Sequence, residues 1–378
     1  MPAPALLDAT PLASAHSTRG IGAAVRGMIH GLRRLPADDR PRLLLRDGQE
    51  APDGFEVARV HWPTWPLHRL PDPWPLARGE RAVRRLAGTR TGDGDGDGGD
   101  GGHVAFHAVQ PSLIPGGRTI VTCHDLIPLA YWPEYLGGAG RMAEALAYRH
   151  FLRRLRGARL VLTPSRETAD DAIRLAAVDP GRVRVVPWAA PDPVTPEGPP
   201  ADGRYVLVAG AIEPHKNAGL ALEAIAGAAP GVRLVMAGPW SPRRAARLRG
   251  HAARVGADRR VEWLGLLPAA RLAAIRAGAL AVLVPSRKEG FGLPVLEAMA
   301  AGVPVLATDT PALREVGGDA ATYLPVTDPG PWSRAITELA EDPDLRERRA
   351  AAGRERAAAF SWERTAVELT RAYRDAAA

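Results

Sequence analysis

SRKEGFGLPVLEAMAAGVPV, residues 286–305, sets two glutamates, Glu289 and Glu297, around a turn that holds two glycines and a proline. The segment before it, LAVLVPS (280–286), is short and apolar and predicts a buried strand. The segment after it predicts a helix that begins near Pro294, a good first-turn residue, and ends near Gly302. EGFGL is then a strand-to-helix turn. Its glycines let the backbone bend tightly and let a ligand approach. Amides at the start of the helix favour an anion. Glu289 is expected just before the turn and Glu297 in the first turn of the helix. Carboxylates accept well from paired sugar hydroxyls. Two of them around phosphate-seeking amides describe a nucleotide-sugar site, with Glu297 for the ribose and Glu289 for the transferred sugar. The alternative is that both glutamates simply favour the positive end of the helix.

The same alternation runs along the rest of the chain. RTIVTCHDL (118–126) and ARLVLTPS (158–165) read as strands, with a helix between them over 138–157. RYVLVAGAI (204–212), VRLVMAGP (232–239) and RRVEWLG (259–265) read as strands separated by helical stretches at 217–229 and 268–279. Such alternation implies parallel sheets covered by helices on both faces. The fold class is therefore α/β, with two doubly wound, Rossmann-like domains expected to face each other across a cleft. Residues 187–203 carry six prolines and no amphipathic pattern, which marks a semi-rigid linker. The expected division is an N-terminal domain over 1–190, the linker over 187–203 and a C-terminal domain over 204–360. Residues 361–378 form a final helix expected to pack back on the first domain, with Ser361 as N-cap and Ala366, Leu369 and Tyr373 on one face.

Composition excludes several classes. The chain has 378 residues, a formal net charge of +7, and 46% hydrophobic residues. No run reaches the ~18 consecutive apolar residues of a membrane span. The N-terminus lacks a basic segment followed by an apolar one, so no secretory signal is read there. A single cysteine, Cys123, excludes an intrachain disulfide and fits a cytoplasmic setting. Aromatic residues make up 5% and do not interleave with basic runs, so nucleic acid is not an expected partner. The stretch 88–102, GTRTGDGDGDGGDGG, reads as a solvated acidic loop. It partly matches a calcium loop through Asp93, Asp95, Asp97 and Gly98, but Val104 stands where the bidentate glutamate belongs.

The quoted stretch resembles the signature of the retaining glycosyltransferases of family 4, which have the GT-B fold. EPHKN (213–217) is similar to that family's phosphate-binding segment. TCHDLIPLAYWPEY (122–135) and RGIGAAVRGMIHGL (19–32) are similar to its N-domain motifs, and ALREVGGDAA (312–321) to a downstream one. The resemblance implies that Lys216 neutralises the donor diphosphate, that Glu289 meets the donor sugar and that Glu297 meets the ribose. It implies that the amides of Gly290, Phe291, Gly292 and Leu293 hold phosphate and sugar. In the N-terminal domain it implies a loop at Gly20 and Gly22 against phosphate or acceptor, and a bond from His124 to the donor sugar with Asp125 beside it. His215 and Asn217 flank the lysine. No metal and no other cofactor is implied. Relatives usually place an arginine five residues before the lysine or directly before it, where this chain has Ala211 and His215. Arg287 or Lys288 is the expected replacement.

The implied reaction moves a hexose from a nucleoside-diphosphate sugar to an acceptor hydroxyl of a glycan, glycolipid or small molecule. The motif variants look most like mannosyl-type transferases of surface polysaccharides, which favours GDP-mannose by a small margin. The rival readings are a nucleotide-sugar epimerase of similar fold and a non-catalytic binder of nucleotide sugars or anionic lipid. The arginines of YRHFLRRLRGAR (148–159) read as a solvated helix face, with peripheral contact at the inner face of the membrane as the second reading. GIGAAV (20–25) lacks the third glycine of a dinucleotide fingerprint. Cys123 and His124 are strand neighbours whose side chains point to opposite faces, so a thiol nucleophile is not expected.

Overall fold

The computed structural model describes residues 5–13, 20–60, 105–109, 119–136, 142–198 and 204–377. The acidic loop at 88–102 and Val104 lie outside them. The chain divides into two compact units: Met1–Trp188 with Ser361–Ala378, and Ala189–Phe360.

The first unit is built on a seven-stranded parallel sheet ordered β3-β2-β1-β4-β5-β6-β7. Its strands are β1 (Ala5–Asp8), β2 (Arg42–Arg46), β3 (Val57–Val60), β4 (Ala105–Ala108), β5 (Thr119–Thr122), β6 (Leu160–Thr163) and β7 (Val183–Val185). Side chains of β1, β4, β5 and β6 are buried throughout, as a sheet covered on both faces requires. The helices used below are α1 (Gly20–Arg33) and α2 (Met142–Arg156).

The second unit repeats the scheme with six parallel strands ordered β10-β9-β8-β11-β12-β13. They are β8 (Arg204–Ala209), β9 (Val232–Ala237), β10 (Val261–Gly265), β11 (Ala281–Val284), β12 (Val305–Thr308) and β13 (Thr322–Leu324). Its helices include α3 (Ala218–Gly227), α4 (Pro242–Arg254), α5 (Ala269–Ala277), α6 (Leu293–Ala300), α7 (Pro311–Gly317), α8 (Pro329–Glu341) and α9 (Pro343–Ala358). In each sheet the order runs outward, returns, and continues the other way. The reversals fall between β1 and β4, and between β8 and β11. Ligands of open α/β sheets bind at such switch points, beyond the carboxyl ends of the strands.

The last helix, α10 (Trp362–Ala377), belongs to the first unit. Ser361 Oγ accepts the Arg364 N–H at 3.2 Å, and Ala366, Leu369 and Tyr373 are buried. The helix lies against α1 closely enough that a Cβ on Gly27 would sit 2.0 Å from the Trp362 ring. One on Gly31 would sit 2.1 Å from the Trp362 carbonyl oxygen. Gly-x-x-x-Gly in α1 is therefore the seat of a tryptophan.

Many arginines are used on backbone carbonyls. The Arg260 fork takes the carbonyls of Ala228, Ala229 and Val232 at 2.8–3.2 Å, past the end of α3. Arg346 takes Leu339 at 2.7 Å near the end of α8, and Arg356 takes Glu315 and Val316 at 2.6 and 2.8 Å near the end of α7. Cations on the orphan carbonyls of helix ends are favourable on hydrogen-bonding and dipole grounds alike. These side chains account for part of the basic composition without a polyanionic partner.

Candidate active site

The switch point of the second unit carries the chemistry. After β8 the chain runs Gly210–Ala211–Ile212–Glu213 and then makes a tight turn at Pro214–Lys216. After β11 it runs Pro285–Ser286 to Glu289 and turns into α6. Gly238, after β9, has φ +145°, and a Cβ there would come 1.9 Å from the Gly210 carbonyl oxygen. Only glycine permits this approach of two strand ends. Gly210, Ile212, Lys216, Ser286, Glu289 and Pro294 line a small, partly open cleft at this edge.

Two sequence motifs 73 residues apart meet here. Lys216 Nζ donates to both oxygens of Glu289, at 2.6 and 2.8 Å. Ser286 Oγ donates to Glu289 Oε1 at 2.6 Å, and Thr308 Oγ1 donates to the Ser286 carbonyl. Burial pushes the Glu289 carboxyl up. Lys216, His215 and the two side-chain hydrogen bonds outweigh it and hold the group below the ordinary glutamate range. His215 is buried, and burial together with the adjacent Lys216 cation lowers it to about 4, so it is neutral at pH 7. Lysine occurs in the chain at 216 and 288 only, against 47 arginines. Where arginine serves almost every other cationic position, a compact, mobile ammonium at this one is informative.

Glu297 lies in α6, but not in its first turn. Gly292, at φ +113°, closes the turn and starts the helix at Leu293, which puts Glu297 fifth. Its Oε2 accepts from Arg276 Nη2 at 2.5 Å. Burial raises its carboxyl above the ordinary value; Arg276 and then Lys216 oppose the rise without cancelling it. Phe291 is 3% exposed and its ring packs on Phe360, so only its backbone is available to a ligand. Gly290 is half-buried and Gly292 buried. Asn217 takes the left-handed conformation, φ +50°, at the start of α3 and donates to the Val326 carbonyl at 3.0 Å.

Of the two cations expected near the lysine, Arg287 contacts its turn directly. The Arg287 N–H donates to the His215 carbonyl at 2.7 Å, and its guanidinium reaches the Pro214 carbonyl at 3.2 Å. Arg287 thus ties the loop after β11 to the turn that carries Lys216. Arg244, from α4, holds the Ile212 carbonyl and Glu213 at 2.7 and 2.8 Å. Sequence reasoning missed Arg276, Arg244 and the Ser286–Glu289 bond. The two arginines reach the site from helices with no motif of their own. Ser286 stands inside the motif, three residues before its partner.

In the first unit, His124 follows β5. Its Nε2 meets the Val109 carbonyl at 2.6 Å, and its ring lies 5.3 Å from that of Trp188. A carbonyl can only accept, so Nε2 carries a proton and donates it. Asp125 Oδ1 accepts the Ile127 N–H at 3.0 Å. Cys123 is buried, and desolvation raises its thiol well above the ordinary range, which is wrong for a nucleophile. Gly20 and Gly22 do not form a loop: both lie in the first turn of α1, which continues through Ala23 and Ala24, the best helix formers. Beside His124 stands a second histidine, His107, fully buried between Tyr373 Oη at 3.0 Å and Thr122 Oγ1 at 2.7 Å. Among the described residues no group of His, Cys, Asp and Glu could hold a metal ion, and no helix is long and apolar enough to cross a membrane.

Comparison with known proteins agrees with this layout. Residues 195–356 match the model of the glycosyl transferases group 1, and residues 18–189 that of glycosyltransferase family 4. The chain is 30% identical over 276 residues to the O-antigen chain mannosyltransferase B of Escherichia coli, covering 68% of this chain and 70% of that one. It is 31% identical over 234 residues to a D-inositol 3-phosphate glycosyltransferase of Acidothermus cellulolyticus, of which the match spans about half, 52%. Its fold is similar to that of Anabaena HepE in complex with UDP-glucose, with a TM-score of 0.69, 15% identity, and coverage of 97% and 98% of the two chains. Two parallel-sheet units of this kind are the GT-B architecture. The chain belongs to the family 4 glycosyltransferases and is a glycosyltransferase.

Proposed function

We propose that the donor is a nucleoside-diphosphate sugar, bound at the switch point of the second unit, and that its sugar passes to an acceptor hydroxyl with retention at the anomeric carbon. The observation that carries this reading is Lys216 lying on Glu289 at 2.6–2.8 Å, between the carboxyl ends of β8 and β11, with Glu297 within its electrostatic reach. The bond from the anomeric carbon to the diphosphate oxygen breaks, the bond to the acceptor oxygen forms, and the acceptor proton passes to the departing diphosphate. Lys216 stabilises the negative charge that grows on that diphosphate. Glu289 accepts from hydroxyls of the transferred sugar, and Glu297 from the ribose. No side chain of this cluster reads as a nucleophile, so attack from the face that the diphosphate leaves is the natural route. The reaction needs no metal, because lysine and backbone amides supply the positive end.

His124, with Asp125, enters through the family resemblance as a contact to the donor sugar. GDP-mannose is the favoured donor, on the motif variants and the similarity to a mannosyltransferase. The acceptor is a glycan, a glycolipid or a small molecule. The exposed arginines of α2, Arg149, Arg153 and Arg156, give the first unit a basic face suited to an anionic membrane surface.

The test is turnover with GDP-mannose, UDP-glucose and UDP-N-acetylglucosamine, each alone and with mannose-terminated oligosaccharides or inositol phosphate, followed by NMR at the anomeric carbon. Acceptor-dependent product with the donor's configuration supports the reading. A rearranged nucleotide sugar formed from donor alone identifies an epimerase instead. A sugar trapped covalently on the protein overturns the front-face route.

A further inference from the structure

Arg276 stands in the last turn of α5, the helix that leads into β11. Its guanidinium and the Glu297 carboxylate are both largely buried, with side chains 14% and 24% exposed. A guanidinium fork can take both oxygens of a carboxylate. Here one nitrogen takes Oε2, and among the described residues Oε1 has no hydrogen-bond partner. The carboxylate is thus clamped at one oxygen and open at the other. A carboxylate serving only as a structural counter-ion would gain by the bidentate arrangement. One that must receive a ligand hydroxyl gains by keeping an oxygen in reserve, with its plane already fixed.

We propose that Arg276 is a positioning residue for the ribose of the bound nucleotide: it holds Glu297 by Oε2 so that Oε1 is presented to a ribose hydroxyl. This rests on the donor reading given above and deepens it. Arg276 does not touch the reacting atoms. It removes the rotational freedom that Glu297, on the second turn of α6, would otherwise lose on binding. The consequence is selective: the variant should lose discrimination for the ribose hydroxyls while phosphate binding by Lys216 and the loop persists.

The experiment is calorimetry with UDP and GDP, each beside its 2′,3′-dideoxy counterpart, on the full chain. Wild type, Arg276→Gln, Arg276→Lys and Glu297→Gln are compared. For whichever base binds, wild type should prefer the ribonucleotide by about tenfold or more, equivalent to about 1.4 kcal/mol. Arg276→Gln should lose most of that preference, as Glu297→Gln does, while binding the dideoxy form as wild type does. That unchanged affinity also reports an intact fold. Arg276→Lys should recover part of the preference. The proposal is overturned if Arg276→Gln keeps the wild-type preference, or if it weakens both forms alike. In the first case, loss of preference in Glu297→Gln alone leaves the donor site standing. Failure of wild type to bind either base overturns the donor reading and this proposal together.

Discussion

Lys216 and Glu289 come from loops after two neighbouring strands, β8 and β11, and close a two-oxygen ion pair at the switch point of their sheet. The two partners are not equally buried: the side chains are 23% and 7% exposed. Removing one therefore should not cost what removing the other does. Lys216→Met leaves a buried carboxylate held only by Ser286, and should cost about 3 kcal/mol at pH 7, in the range for an orphaned buried charge. Glu289→Gln leaves an ammonium that can turn to water, and should cost less, about 1 kcal/mol. In Lys216→Met the Glu289 carboxyl loses the cation that kept it low, so its folded value rises above its unfolded one. The folded state then binds more protons, and the variant's deficit should shrink as pH falls from 7 toward 5. Denaturant melts of both variants at pH 7 and 5 check this; equal costs, or a deficit that grows on acidification, would speak against the pair as described.

His107 gives the first unit its own pH dependence. Burial, with His124 nearby, lowers its folded value to about 3, against an ordinary value near 6.5. A base lowered on folding contributes stability that is whole above its unfolded value and is lost as pH falls toward the folded one. The contribution should decline below about pH 6.5 by up to about 1.4 kcal/mol per pH unit. Carboxylates add their own acid dependence, so the informative quantity is a difference. His107→Gln, which keeps polar atoms for Tyr373 and Thr122, should flatten the fall in stability between pH 6.5 and 4 relative to wild type. Parallel curves would mean that His107 takes up its proton as readily in the folded chain as in the unfolded one.

The glycines of α1 and α4 make opposite predictions for the same substitution. In Gly31→Ala the new methyl meets the backbone of Trp362, which cannot turn aside. Overpacking of this kind costs about 1–3 kcal/mol even though alanine favours a helix. Gly250, on exposed α4, has open space where a Cβ would stand, with no atom of another group within 4 Å. Gly250→Ala should stabilise by about 0.5–1 kcal/mol. Thermal melts of the two variants should move in opposite directions.

Much of this is legible in the sequence, and the boundary has a physical reason. Strands such as RYVLVA and LAVLVPS announce themselves because burial on both faces makes them nearly continuous apolar runs. That Glu289 and Lys216 share one sheet edge can be expected in kind, since both lie in loops after strands of one sheet; their ion pair cannot, since the resemblance gives one to the sugar and the other to the diphosphate. The Arg276–Glu297 contact cannot, because α5 reads as a helix but carries no motif, and the two residues meet only when β11 brings α5 and α6 together. The spacing of the motif places Glu297 one residue too early in the helix, fourth instead of fifth: the positive φ of Gly292 fixes where the helix starts, and no spacing rule reveals that. The family resemblance implies a loop at Gly20 and Gly22, yet the Gly27–Gly31 spacing behind them locks α1 against Trp362 as a helix.

Lysine chemistry offers a clean probe of the donor site, since the chain has two lysines, Lys216 and Lys288. Mild acetylation followed by peptide mapping should label both together with the terminal amine. Saturating nucleoside diphosphate should protect Lys216 by about fivefold or more, as expected of an amine held on a phosphate. Equal labelling of Lys216 with and without nucleotide would remove it from the diphosphate site.

The most direct test of the central claim is calorimetric titration of GDP-mannose, UDP-glucose and dTDP-glucose into wild type and Glu297→Ala. One of these donors should bind, and the substitution should weaken it by about tenfold or more, a loss of about 1.4 kcal/mol or more. If none binds, or if Glu297→Ala binds the same donor as tightly as wild type, the glutamates around the EGFGL turn do not hold a nucleotide sugar.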